Sequence, residues 1–247
     1  MLNIHVLSLF PEHMHDYFLK GIMGSAHKKD LFKINFIDIR SFAKDAYRSV
    51  DTYPFGGKLG MLLRVDILSQ AIESVKNYQK AKLLFPSPRG VHFNATHAKD
   101  LAFLNQDLIF LCGYYEGVDE RLFERFQFSF FSVGDLVLSS GELASLLMID
   151  GICRYCEGVL GNSQSSKKES FESGLLEHPQ YTKPVKYQNA VVPNVLLSGH
   201  HQKIKDWKLS QSLRYTLFLR PDLIAKKQLS AFEQEIIDEL ILKGGVL

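Results

Sequence analysis

Three short stretches combine glycines with small and polar residues in a way that suits ligand binding. They are Ser87-Pro88-Arg89-Gly90, the run from Cys112 to Asp119 (CGYYEGVD), and the run from Val133 to Glu142 (VGDLVLSSGE). Glycine lets backbone N–H and C=O groups come close to a ligand, and such groups can read an adenine and a ribose. The same glycines would also serve tight turns alone, but three such loops in succession favour a cradle. None of them is a phosphate cradle. No GxGxxG opens a helix, and there is no GxxxxGK[ST]. The pattern points to an adenosine ligand with an uncharged tail.

Other reactive residues are less telling. Cys112, Cys153 and Cys156 are too few for a complete disulfide framework. Cys153 and Cys156 form a CxxC without the second pair that a four-ligand zinc site needs, so they read as two small residues on one helical face. Glu169, read alone, is a solvated charge beside Lys167 and Lys168. From Ser163 to Arg220 there are nine lysines and arginines against four acids, although the whole chain carries only +2. That excess would attract a phosphate-rich partner or form a solvated basic surface. Trp207 reads as a core residue.

The elements that must position these residues follow from periodicity. Strands are expected at Leu2–Leu9, Phe32–Ile39, Lys82–Pro86, Leu108–Cys112 and Phe128–Ser132. Each of the three loops then follows a strand, where an open α/β sheet binds its ligands. Helices are expected from Pro11 to about Leu19, over Val65–Tyr78, from Asn94 as a cap to about Leu104, near Glu120–Phe126, and over Gly141–Tyr155. Ala43–Met61 reads as a long loop. The fold class is α/β with a mostly parallel sheet over residues 1–160. Small polar residues and adjacent lysines mark 161–173 as a flexible linker. Residues 174–247 read as a small helical domain. Ile204, Trp207, Leu213 and Leu217 give it an amphipathic helix. Ser230 with Glu233 forms a capping box for a last helix, stopped by Gly244-Gly245.

Composition is that of an ordinary globular chain of 247 residues, 46% hydrophobic and 23% charged. No apolar run approaches the roughly 18 residues of a spanning helix. The amino terminus lacks a basic region and a cleavage site, so it reads as a first strand. With few cysteines, a reducing cytoplasm is expected.

The order of motifs resembles the bacterial tRNA (guanine-N1)-methyltransferase family, TrmD, of the trefoil-knotted SPOUT superfamily. It runs Ser8-Leu9-Phe10-Pro11, Pro54-Phe55-Gly56-Gly57, Gly60-Met61, Ser87-Pro88, Cys112-Gly113, Tyr115-Glu116-Gly117 and Val133-Gly134-Asp135. Then come Leu138-Ser139, Gly141-Glu142, Gly158-Val159-Leu160-Gly161 and Pro193-Asn194-Val195-Leu196-Leu197-Ser198-Gly199. The resemblance implies a deep knot in the first domain. It implies S-adenosylmethionine held by Ser87, Pro88, Gly90, Gly113, Tyr115 and Glu116, and by Val133, Gly134, Leu136, Val137, Leu138 and Gly141. It implies a homodimer whose active sites are shared between subunits, and a divalent cation such as magnesium as an activating ion; no residue is expected as a metal ligand, and no membrane partner is expected from the short apolar runs.

Guanine N1 carries a proton, so the reaction needs a general base, and charge developing on O6 needs a cation or N–H donor. The resemblance assigns these roles to Glu169, where the family has aspartate, and to Arg154. It assigns Asp51, Gly56 and Gly57 to the target base, a guanine at position 37 preceded by another guanine. Lys203, Lys205, Lys208 and Arg214 would grip the anticodon stem-loop. Departures fall at Lys58-Leu59 (usually Gly-Pro), Arg89 (usually Gln), Leu136 (usually Tyr) and Ser140 (usually Gly). Two alternatives accompany these departures. One is a relative that binds tRNA or cofactor without catalysis, the other a SPOUT enzyme acting elsewhere on RNA.

Overall fold

Val6 and Leu7 are consecutive in one strand and both fully buried, because each face of the sheet carries its own core. The computed structural model describes residues 1–57, 60–160 and 169–242. The chain divides into two compact units, Met1–Gly161 and Asn162–Leu247.

In the first unit the strands are β1 (Leu2–Ser8), β2 (Phe32–Asp38), β3 (Asp51–Thr52), β4 (Leu62–Leu63), β5 (Lys82–His92), β6 (Leu108–Leu111) and β7 (Phe128–Ser132). The helices are α1 (Glu12–His15), α2 (Gly21–Lys28), α3 (Val65–Glu73), α4 (Ala95–Phe103), α5 (Arg121–Arg125) and α6 (Gly141–Cys153). Five strands form one parallel sheet in the order β2-β1-β6-β5-β7. Successive side chains alternate between faces. Val6, Leu84 and Phe110 pack with Met23 of α2, Leu101 of α4 and Ile149 of α6. Leu7, Ile109 and Leu111 pack with Leu68 and Ile72 of α3 and Leu122 of α5. The unbroken apolar run of β6 is what a sheet covered on both faces requires. Burial of one such side chain contributes about 2–3 kcal/mol.

Several expectations are corrected. The helix begun by Pro11 is a single turn, followed by a 3-10 turn over Asp16–Leu19 and then α2, which the sequence reading lacked. Gly21 and Gly24 are poor helix formers, but Gly24 seats against the preceding turn. A Cβ there would stand 2.3 Å from the Leu19 carbonyl carbon. Helix α3 stops at Glu73, and Asn77 turns the chain with φ of 58°. Strand β5 runs on to His92 because Phe131 faces both Pro86 and Val91, leaving 87–90 as a bulge. Within the long loop, β3 forms and pairs antiparallel with β4, which directly follows the loop.

The second unit has a core of Leu175, Leu213 and Ile237, with Leu209, Leu217 and Ile224 packed around it. Its helices are Asn194–Leu197, His201–Leu219, Pro221–Lys226 and Ala231–Leu242. A hairpin pairs Lys186–Tyr187 with Ala190–Val191. The capping box forms, with Ser230 N donating to Glu233 Oε2 at 2.8 Å and Glu233 N donating to Ser230 Oγ at 3.3 Å. Trp207 is half-buried between His178 and Tyr181, not a core residue. The linker residues 161–168 and the stop at Gly244-Gly245 lie outside the described residues, as do Lys58-Leu59. Among the described residues no helix is long and apolar enough to cross a membrane.

Candidate active site

Strands β6, β5 and β7 lie side by side, and the loops beyond β6 and β7, together with the bulge in β5, enclose a cavity of about 580 Å³. Ser87 and Pro88 line it from the bulge of β5, and Gly113, Tyr115 and Glu116 from the loop after β6. Val133, Gly134, Leu136, Val137, Leu138 and Gly141 line it from the segment between β7 and α6. Gly90 does not line the cavity. A Cβ on it would lie 2.3 Å from the Phe131 amide nitrogen, so its smallness serves the packing of β5 on β7.

The loops are held by backbone contacts that only these residues permit. Gly141 N donates to the Gly113 carbonyl at 2.7 Å, and a Cβ on Gly141 would meet Gly113 N at 2.5 Å. Ser140, in contrast, has φ −161°, ψ 164°, extended backbone open to any residue. The serine therefore leaves the turn unchanged. Tyr115 takes a left-handed φ of 56° and sets its ring edge-on to Tyr114, with centroids 4.7 Å apart.

The segment after the long loop braces the second cavity loop. Glu116 N donates to Met61 O at 3.0 Å, Leu63 N to Gly117 O at 3.0 Å, and Asp119 N to Leu63 O at 3.1 Å. Gly60 makes room for the Glu116 side chain, since a Cβ there would stand 2.4 Å from Glu116 Cγ. Asp51 in β3 pairs with Leu63 of the same brace. Gly56 and Gly57 are exposed with φ of 90° and 74°.

The start of α6 is tied to the end of β1. Ser8 Oγ donates to Glu142 Oε1 at 2.5 Å and accepts from Phe10 N at 2.8 Å. Glu142 is 4% exposed, and its other oxygen has no hydrogen-bond partner among the described residues. Cys112 lies nearby with Sγ 3.3 Å from Ser145 Oγ, and burial pushes its thiol well above the usual range.

Sequence reasoning missed a charged wall. Arg89 pairs with Glu120 at 3.3 Å, and its guanidinium lies over Phe130 and Phe123 at 5.4 and 5.8 Å from the ring centroids. Arg89 stands in a motif already singled out, but its partner is 31 residues away, beyond any local pattern.

Arg154 follows the last turn of α6, with its amide on Asp150 O at 3.1 Å. Asp150 Oδ1 accepts from Tyr17 Oη at 2.7 Å, and that bond pushes the Tyr17 hydroxyl up to about 12. Glu169 belongs to the second unit, just before a turn in which Phe171 N donates to Leu175 O at 2.8 Å and Ser170 Oγ accepts from Glu177 N at 2.9 Å. On the helix His201–Leu219 the basic residues do not share one face. At 3.6 residues per turn, Lys203 and Arg214 fall on one flank of the apolar stripe, and Lys205 and Lys208 on the other.

The cavity fits an adenosine sulfonium ligand. Gly113, Gly134 and Gly141 line it along with apolar residues such as Leu62, Phe85 and Leu138, and Glu116 and Glu120 in its lining offer counter-charge to a cation. Fold and site together define an α/β ligand-binding protein whose cradle is built from close backbone contacts in place of a phosphate-binding turn. The chain belongs to the tRNA (guanine-1)-methyltransferase TrmD family, whose model matches residues 2–226. Similar curated relatives include the tRNA (guanine-N(1)-)-methyltransferase of Clostridium botulinum strain Hall, 45% identical over 96% of this chain and 98% of the relative. That of Clostridium tetani is 42% identical over 95% of this chain and 97% of the relative.

Proposed function

We propose that the protein transfers a methyl group from S-adenosylmethionine to N1 of a tRNA guanine, position 37, beside the anticodon and after another guanine. The observation that carries this is the cavity closed by the Gly113–Gly141 contact, formed by the same three loops that carry the family motifs. S-adenosylmethionine, when bound, supplies an electrophilic methyl carbon and leaves as a neutral thioether.

The chain's own residues would supply the rest. Ser87, Pro88, Gly113, Tyr115, Val133, Gly134, Leu136, Val137, Leu138 and Gly141 would hold the cofactor, with Glu116 offering a carboxylate to its positive charge. Asp51, Gly56 and Gly57 would place a guanine flipped from its stack. Glu169 would remove the N1 proton, and Arg154 would balance the charge that develops on O6. Glutamate has acidity similar to aspartate, so the extra methylene changes reach more than basicity. Lys203, Lys205, Lys208 and Arg214 would contact phosphates of the anticodon stem-loop. A knot through the α6 region and a homodimer with shared sites complete the reading. Magnesium would act as an activating ion. Among the described residues no three His, Cys, Asp or Glu side chains gather as ligands, so no residue is assigned to it.

The test is methylation of an unmodified tRNA transcript, with primer extension to locate the block. A stop at position 37 that requires the guanine supports the reading. Cofactor binding without methyl transfer to any RNA would overturn it. Undiminished rate in Glu169→Gln would remove that residue from the role of base.

A further inference from the structure

Charged side chains in the cavity wall are few. Among the described residues that line it, Arg89 is the one cation, and Glu116 and Glu120 are the two carboxylates. Arg89 Nη1 donates to both Glu120 oxygens and Nη2 to Oε2, each at 3.3 Å. The guanidinium also lies over the rings of Phe130 and Phe123. Both partners remain more than half exposed, 58% and 64%. Such exposed pairs contribute little to folding. A guanidinium carries five N–H donors in a planar fork, so its pairing with Glu120 leaves donors for a second carboxylate.

S-adenosylmethionine carries the reverse set of charges: a sulfonium and an α-ammonium, with one α-carboxylate. The sequence pattern suggested an uncharged tail, but the cavity presents an ion pair. We propose that Arg89 and Glu120 together bind the amino-acid end of the cofactor, Arg89 taking its α-carboxylate and Glu120 its α-ammonium. Arginine here, where glutamine is usual in the family, makes recognition depend on the ligand's negative charge. This inference rests on the reading of the cavity as the cofactor site.

Isothermal titration calorimetry of the full chain tests it without reference to turnover. The probes are S-adenosylmethionine and its decarboxylated form, which lacks only the carboxylate. The wild-type protein is expected to bind the decarboxylated form about tenfold or more weakly, the scale of one charge-assisted hydrogen bond. Arg89→Gln should narrow that gap to about threefold or less, the part an uncharged amide can keep. Glu120→Gln should weaken both ligands and leave the gap intact, because both retain the ammonium. Thermal unfolding close to that of wild type establishes that each variant is folded. Equal wild-type affinity for the two ligands, or an undiminished gap in Arg89→Gln, overturns the assignment while leaving the cofactor reading standing. Failure of the wild-type protein to bind either ligand overturns both.

Discussion

Gly141 donates its amide to the Gly113 carbonyl at 2.7 Å, which brings the first residue of α6 into backbone contact with the loop leaving β6. A methyl group on Gly141 would stand 2.5 Å from Gly113 N and 3.0 Å from Cys112 Cα, both rigid backbone atoms. Gly141→Ala is therefore expected to force the loops apart and cost about 1–3 kcal/mol of stability. Urea unfolding measures the loss, and cofactor affinity should fall with it. Ser140→Gly is the contrast. The serine already has an extended backbone, so the change relieves nothing and should be neutral or cost up to about 1 kcal/mol through added unfolded-state freedom.

Ser8→Ala removes the donor to Glu142 Oε1 and the acceptor for Phe10 N. Glu142 would then be a buried carboxyl group without its hydroxyl partner, at an expected cost of about 1–3 kcal/mol. The same unfolding measurement checks it. A change below a few tenths would show that the tie between β1 and α6 contributes nothing.

Tyr17 gives a pH signature. Its bond to Asp150 raises the hydroxyl from about 10 to about 12 in the folded state. A raised acid holds its proton longer when folded, so the stabilisation is complete below pH 10 and is lost as pH rises from 10 to 12. Stability of the wild-type protein should fall more steeply over that interval than that of Tyr17→Phe. Parallel denaturation series at pH 9 and pH 11 compare the two slopes, and identical slopes would sink the prediction.

The three cysteines should differ in reactivity. Cys112 is fully buried and its thiol is pushed up by burial. Cys153 is buried too, and its contact with Cys156 raises it while lowering Cys156, which is only half-buried. Brief iodoacetamide treatment of native protein should alkylate Cys156 first, because the thiolate is the nucleophile. Peptide mass spectrometry identifies the site, and first labelling at Cys112 would contradict the structure.

What the sequence disclosed followed its periodicity. The apolar run Leu108–Leu111 and the β-rich Phe128–Ser132 are strands as their composition demands. Gly21 and Gly24 disguise helix α2: Gly24 is explained by its close seat on Leu19, and Gly21 by a left-handed φ of 63°. The cavity loops were legible through their glycines. Gly90 was read as part of the cradle because sequence cannot distinguish a glycine that admits a ligand from one that admits a neighbouring strand. The Arg89–Glu120 pair and the Ser8–Glu142 tie were illegible for another reason. Their partners lie 31 and 134 residues apart and meet only through the order of the sheet.

The brace from Met61 to Leu63 gives the long loop and the cavity loop a shared set of hydrogen bonds, through Glu116, Gly117 and Asp119. Neither loop can shift far without breaking bonds that also hold the other. In thermodynamic terms their fluctuations are linked, and the linkage is reciprocal. Whatever settles one loop lowers the entropy cost of settling the other. Slower exchange of the Leu63 and Glu116 amides, the donors that cross between the two loops, on binding at either loop would be the mark of that shared restraint.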